Sequence, residues 1–454
     1  MNWPPIEIPV IGRSGLIALI ALLHIPFFVN FVMGAPLIAV VSEWLGKRSG
    51  DTRYDRVARD ISAMALVTVG IGAFGGVALV VSNIGLFPRF FSTGVGIFFW
   101  PLVLEILMFL IEAVFLALYR YTWPRLAHRN LHMLFGLLGA LGAWGSGFII
   151  NGLASFMLTP GNWVETRQLL DAAFNPSFWP SFAHRGLAAF SVTGFFLIVY
   201  ALWRWRRAGT AEERESVSWT LRYAGKWAVV ATALQVLPGS WYLIALELGT
   251  RNAAPEGSVV PKLLGGPLTF FWFGGILLAA AAILVVWFLA VQAPQRGLKA
   301  GGRLLLILAV LFILVTNAFM GFTRERARKP YLVYGVMYGN ELMAVVRQAA
   351  EGISAPEAGQ PPPQAPEATR EPSPSPPGEL VERGEVLFRD KGCLDCHQLG
   401  GQGGDFGPPL DGVGTRQSDE QLRQFLLNPP PAMQFLHLTA AEAEALAAFL
   451  ATQK

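Results

Sequence analysis

Eight apolar stretches, roughly residues 14–41, 61–84, 96–119, 131–153, 182–203, 224–247, 268–291 and 303–322, dominate this chain of 454 residues. Each is close to the ~20 residues an α-helix needs to cross the hydrocarbon core of a bilayer. Lipid offers no partner to a backbone N–H or C=O, so a spanning segment must satisfy them internally. The expected fold is therefore all-α: a polytopic membrane bundle of about eight transmembrane helices, followed by a smaller helical domain. A content of 53% hydrophobic and 12% aromatic residues agrees.

The loops beginning near residues 42, 120, 204 and 292 are rich in Lys and Arg, Lys47, Arg48, Arg206 and Arg207 among them, whereas the alternate loops carry only scattered cations such as Arg13, Arg89, Arg167, Arg251 and Lys262. The positive-inside rule makes the first set cytoplasmic. The N-terminus then faces outward and, after eight spans, so does everything beyond residue 322. The expected location is the bacterial cytoplasmic membrane. The first apolar segment has no basic stretch before it and no small-residue cleavage site, so it is expected to remain as an anchor. Basic residues crowd between spans while residues 379–454 hold 11 Asp and Glu against 6 Lys and Arg, so a nucleic-acid partner is not indicated.

Residues 331–349 are too polar for a ninth span and are expected to form an interfacial segment, to about residue 351, with amphipathic helical character. Residues 352–378 hold 9 prolines in 27 positions, a semi-extended spacer reaching up to about 80 Å at about 3.1 Å per residue. From Glu379 helical patterning returns, and Thr439 with Glu442 forms a capping box ahead of a last helix. The expected domains are thus 1–330 in the membrane, the interfacial segment, the linker, and 379–454.

Both cysteines of the chain lie in Cys393-Leu394-Asp395-Cys396-His397. Two thiols at this spacing add to the two vinyl groups of one haem, and the adjacent His397 supplies a proximal nitrogen to the iron. A disulfide or half of a zinc site are the rival readings, weakened by the lack of further cysteines. Residues 379–454 resemble a small class I cytochrome c domain, including the turn Gly407-Pro408-Pro409-Leu410. Met433, the domain's lone methionine, is the expected distal ligand, with His437 its competitor and packing against the haem edge its structural alternative.

Ionisable groups inside spans are costly and each is a functional candidate. His24 lies ten residues into the first span and Glu105 nine residues into the third, which places both about 15 Å deep at 1.5 Å per residue. Glu112 follows Glu105 by two helical turns, as a proton path or paired site requires. His184 lies at the outer end of the fifth span beside Arg185. The bland alternatives are a histidine bonded to a neighbouring helix and a protonated structural glutamate. His128 and His132 read as interfacial.

These residues carry a resemblance to subunit I of the cytochrome bd oxygen reductases over residues 14–331. His24 fits the first-helix histidine that ligates a high-spin haem at the oxygen-reducing centre. FWPLVLEILMFLIEAVFLALYRYTW at 99–123 resembles the third-helix segment whose two glutamates, here Glu105 and Glu112, serve the high-spin haem pair and proton delivery. FAHRGLAAF at 182–190 resembles the segment whose histidine, here His184, binds a low-spin haem b. Glu325-Arg-Ala-Arg328-Lys-Pro330-Tyr331 is a weakened form of the signature E-x-G-R-Q-P-W, making Glu325 the candidate carboxylate ligand of a second high-spin haem.

The departures alter the expected electron entry. The family's long quinol-binding loop shrinks here to about residues 248–267, Phe271 replaces the helix-seven methionine expected opposite His184, and the ninth span is missing. The resemblance implies the catalytic subunit of a terminal oxidase that takes electrons through one covalent haem c, from a cytochrome c or other extracytoplasmic donor rather than quinol, and reduces O2 to water. It implies one or more haems b, a haem d or a further haem b at the oxygen site, and a membrane partner like subunit II. Two rivals stand beside it: a non-catalytic electron-transfer subunit carrying haem b and haem c, and a haem-poor membrane anchor.

Overall fold

A computed structural model describes residues 6, 8, 12–123, 128–251, 258–264, 267–328, 331–333, 337–338, 377–391, 393–395, 397–403, 408–428 and 438–454. They fall into two units, one made of residues up to 328 apart from two short connecting segments, the other containing residues 329–454.

The first unit holds eight helices long and apolar enough to span a membrane: α1 Gly15–Ser49, α2 Thr52–Leu86, α3 Phe90–Tyr121, α4 Arg129–Phe156, α5 Phe178–Trp205, α6 Ala211–Thr250, α7 Phe273–Gln292 and α8 Ala300–Gly321. The sequence reading of eight spans holds, and several of the helices run well past the apolar core. Short connections make successive helices antiparallel, so the basic loops gather at one end of the bundle. We call this the basic end. α3 lies along α4, α5 along α6 and α7 along α8, while α1 packs against α2, α4 and α5.

Apolar side chains are as well solvated by lipid as by protein, so close backbone approach and interhelical hydrogen bonds supply much of the drive for association. A Cβ added at Gly142 of α4 would lie 2.4 Å from the Glu112 backbone nitrogen and 2.6 Å from the Met108 carbonyl of α3, a separation only glycine allows. Phe31, Ile38, Ile61, Leu116, Phe195, Ile198 and Leu221 fill the interior, while Phe74, Trp100, Leu237 and Leu277 point outward. Pro101 cannot donate to the preceding turn of α3, and the backbone breaks at Phe98 (φ −109°, ψ 23°). α1 widens into a π-helical turn over His24–Val29.

In the second unit, α9 (Pro377–Asp390), α10 (Asp419–Leu427) and α11 (Ala440–Ala451) enclose Phe388, Leu422, Leu426, Leu446, Phe449 and Leu450. The expected capping box is present, with the Thr439 side chain accepting from the Glu442 backbone N–H and the Glu442 carboxylate from that of Thr439. The interfacial helix expected from residue 331 does not form at the residues described there: Tyr331–Val333 pairs antiparallel with Met337–Tyr338. Tyr331, Val333 and Tyr338 are residue types that favour the extended backbone. The Pro-rich spacer up to residue 376 lies outside the described residues.

Candidate functional site

His24 opens the π-turn of α1, a local widening frequent at functional sites. Its ring rests against the Gly75–Gly76 pair of α2: a Cβ on Gly75 would come within 2.9 Å of Nδ1, and one on Gly76 within 3.5 Å of Cε1. Nδ1 is buried and has no hydrogen-bond partner among the described residues. The simple alternative of a histidine bonded to a neighbouring helix through this atom is therefore absent.

On α3, Glu105 and Glu112 share the face turned to α4. Ser146 Oγ donates to Glu105 Oε1 at 2.6 Å. Glu112 is 3% exposed, and its Oε1 has no partner among the described residues. The expected common depth of His24 and Glu105 does not survive. Glu105 is level with Ser146, and the neighbouring Trp144 and Gly147 pack on Met33 of α1, where Trp144 Nε1 donates to the Met33 carbonyl at 2.8 Å. Met33 lies nine residues along α1 from His24, about 14 Å at 1.5 Å per residue. The reason is that α3 begins at Phe90, ahead of its apolar boundary near 96, so counting from hydropathy set Glu105 too shallow.

His184 of α5 directs Nδ1 to the carbonyl of Gln235 at 3.3 Å, where the regular helix of α6 is interrupted for one residue. With Nδ1–H as donor, Nε2 keeps its lone pair for a metal. Gly239 leaves room for the ring, since a Cβ there would meet Nδ1 at 3.4 Å. Glu325 lies on the helix Ala300–Arg328 that extends α8, and its side chain is outside the described residues, as is that of Phe271.

The second unit repeats the histidine arrangement. Cys393 opens a short 3-10 turn, and His397, 9% exposed, donates Nδ1–H to the Pro408 carbonyl at 2.8 Å. Nε2 is again left for iron. Cys396, Met433 and His437 lie outside the described residues. Lys391, almost wholly buried, is 2.9 Å from Glu442 Oε1. Burial pushes the Glu442 carboxyl up, but the Lys391 ammonium and the Thr439 backbone N–H outweigh it and hold the group below its ordinary range.

One group escaped the sequence reading. Glu43 of α1, 1% exposed, receives the Tyr119 hydroxyl on Oε2 at 2.9 Å and lies 2.9 Å from His132 Nδ1. His132 is thus buried between helices rather than interfacial, because its ring can reach a carboxylate on one side and the Tyr119 carbonyl, 2.9 Å from Nε2, on the other. Glu43 sits beside a basic loop, so nothing in its sequence neighbourhood separates it from an ordinary helix-end carboxylate.

The sequence matches the family described as cytochrome bd terminal oxidase subunit I over residues 15–249, and the cytochrome c family over residues 381–454. The first match stops short of α7, α8 and Glu325. A putative cytochrome bd menaquinol oxidase subunit I from Bacillus subtilis (strain 168) is 29% identical over 183 residues, covering 38% of this chain and 40% of that protein. The aligned region is therefore less than half the length of that relative. The bd oxidase structure from Geobacillus thermodenitrificans matches with a TM-score of 0.60 at 19% identity, covering 72% of this chain and 88% of the other, a likeness of fold.

Proposed function

Because this chain belongs to the cytochrome bd terminal oxidase subunit I family and carries a cytochrome c domain, we propose that it is the catalytic subunit of a terminal oxidase that accepts electrons through a covalent haem c and reduces O2 to water. The observation that carries the reading is the strip of Glu105 and Glu112, the second buried with an oxygen that has no partner among the described residues. Oxygen reduction consumes protons at a buried centre. A pure electron conduit has no use for such carboxylates, whose burial is otherwise costly.

The donor sets fit haem. His24 offers an imidazole in a glycine-lined recess, and His184 and His397 are each oriented through Nδ1. In this reading His24 and Glu325 hold high-spin haems, at least one of type b or d, and His184 a low-spin haem b. Cys393 and Cys396 would hold haem c covalently, with His397 and Met433 as the side chains offered to its iron. When bound, these groups supply the electron transfer and the oxygen chemistry. The chain's own work is to orient the imidazoles, to hold Glu105 through Ser146, and to bring protons along the α3 face past Glu112.

The Bacillus relative is described as a menaquinol oxidase subunit. Here only a short segment joins α6 to α7, so we assign the donor to an extracytoplasmic cytochrome or comparable carrier, with a subunit II-like protein as membrane partner. Residues 1–330 are assigned as the haem-binding membrane part and 379–454 as the cytochrome c domain. The basic end faces the cytoplasm by the positive-inside rule.

The test is a reduced-minus-oxidised and CO-difference spectrum of the purified complex, with oxygen uptake measured using reduced cytochrome c and quinol as alternative donors. A CO-reactive haem and cytochrome-driven uptake are expected. Six-coordinate haems alone, with no uptake from either donor, would replace the oxidase with an electron-transfer subunit.

A further inference from the structure

Tyr119 follows Glu112 by seven residues, as Glu112 follows Glu105, so all three stand on one face of α3 at steps of about 10 Å. Along this face α4 presents Ser146 to Glu105, Gly142 to Glu112, and Gly136 with His132 to Tyr119. The last two members of the strip differ. Glu112 is buried without a partner for Oε1 among the described residues. Tyr119 is bonded into a group that reaches the surface: its hydroxyl donates to Glu43, Glu43 meets His132 Nδ1, and the Arg129 guanidinium lies 3.6 Å from Glu43 Oε1 while pairing with Asp55 of α2. Arg129 and Asp55 are about one third exposed, at the basic end.

We propose that the Glu43–His132 pair is the proton-loading group for Glu112, with Tyr119 as the connecting hydroxyl. The proposal rests on the oxidase reading given above. A proton from the basic-end solution enters at the Arg129–Asp55 edge and is held between the Glu43 carboxylate and His132. Tyr119 passes one proton inward as it receives one from Glu43, so a proton enters for each that leaves and no electron moves. Between Tyr119 and Glu112, Gly136, Gly139 and Gly142 of α4 lie against α3, Gly139 beside the buried Leu116. The step of about 10 Å past Leu116 is a distance a short chain of waters spans.

The arrangement also explains a placement that packing alone does not require. A buried carboxylate is expensive unless paired and hydrogen-bonded, and Glu43 is faced by one cation, one titratable imidazole, one hydroxyl and, across Arg129, the Asp55 carboxylate. The pair can therefore exchange a proton without leaving a bare buried charge. These residues act through Glu112 and position its proton. None touches the oxygen chemistry.

The experiment uses the intact complex with wild type, Glu43→Gln, His132→Asn and Tyr119→Phe, and reads haem spectra, oxygen turnover against pH, and dye-detected proton uptake after CO photolysis in the presence of oxygen. With spectra unchanged, Glu43→Gln and His132→Asn should slow uptake about tenfold or more. Their turnover should fall more steeply than wild type as pH rises, because direct protonation of Glu112 then depends on bulk proton concentration. Glu43→Asp should restore part of the rate. Unchanged uptake and pH profile in variants with intact haems would overturn the proposal. Should Glu43→Gln or His132→Asn lose haem, Tyr119→Phe, which keeps the ring and removes only the hydroxyl, decides: a wild-type profile there also overturns it. A wild type that reduces no oxygen removes the oxidase reading and the relay together, whereas a working wild type with unaffected variants removes only the relay.

Discussion

Ser146 and Glu105 are tied by a 2.6 Å hydrogen bond across the α3–α4 interface, one turn of α4 beyond Gly142, which lets the backbone of Glu112 approach. The two carboxylates thus share one seam but differ in state, one held by a hydroxyl and the other buried with no partner for its Oε1 among the described residues.

Replacing Glu112 by Gln keeps its shape and removes its ionisation. Turnover of oxygen should fall about 10²-fold while the haem spectra stay as in wild type. His24→Ala should act oppositely, abolishing the CO-binding spectrum while leaving haem c intact. Wild-type oxygen reduction and spectra in both variants would remove the α1–α3 site from the reaction.

Gly239 faces the His184 ring. Its added Cβ would make ordinary contact at 3.4 Å from Nδ1, so Gly239→Ala should retain the low-spin haem band. Gly239→Leu should shift or abolish that band, because the longer side chain occupies the space of the ring. Equal spectra for the two variants would show that His184 does not set the haem environment.

The covalent haem should depend on Cys393 and Cys396. Haem staining of denaturing gels should lose its signal in Cys393→Ala. Wild type should show the near-infrared Met-to-iron charge-transfer band and Met433→Ala should lose it; absence of the band from wild type would pass the distal position to His437.

The Lys391–Glu442 pair makes the cytochrome c domain sensitive to acid. The folded-state carboxyl of Glu442 is depressed, so its contribution is fully present above the ordinary value of 4.5 and is lost as pH falls through the depressed one. Glu442→Gln keeps a capping-box side chain and removes the charge. It should cost roughly 1–3 kcal/mol at neutral pH, less than for a fully buried pair because Glu442 is partly exposed. Melting of the full-length protein followed in the haem c absorbance should show the two curves converging as the medium is acidified. A constant gap between them would exclude the ion pair as the origin.

Topology is tested by reporter fusions at both ends. Alkaline phosphatase should be active at the N-terminus and after residue 454, and a cytoplasmic reporter active at the C-terminal end would reverse the assignment.

The span count, the haem-attachment motif and the Thr439–Glu442 capping box were legible in the sequence because each is a local property: a run of apolar residues, a five-residue spacing, a side chain reaching three positions along. The resemblance to the oxidase family was legible too, carried by short segments around His24, Glu105, Glu112 and His184. Depth was not, since helices overrun their apolar cores by amounts hydropathy does not record, and α3 begins early enough to carry Glu105 to the level of Met33. The strand pair after residue 330 was likewise hidden, its polar content reading as an interfacial helix while its extended backbone depended on a partner run. Partnership decided the rest. That His184 meets the Gln235 carbonyl, that Gly75 and Gly76 cradle His24, and that Glu43 lies under Tyr119 and His132 are contacts between residues 51 to 89 positions apart. Such contacts exist only once the helices have packed, because the cost of burying a polar group is set by the neighbour that the tertiary structure brings to it.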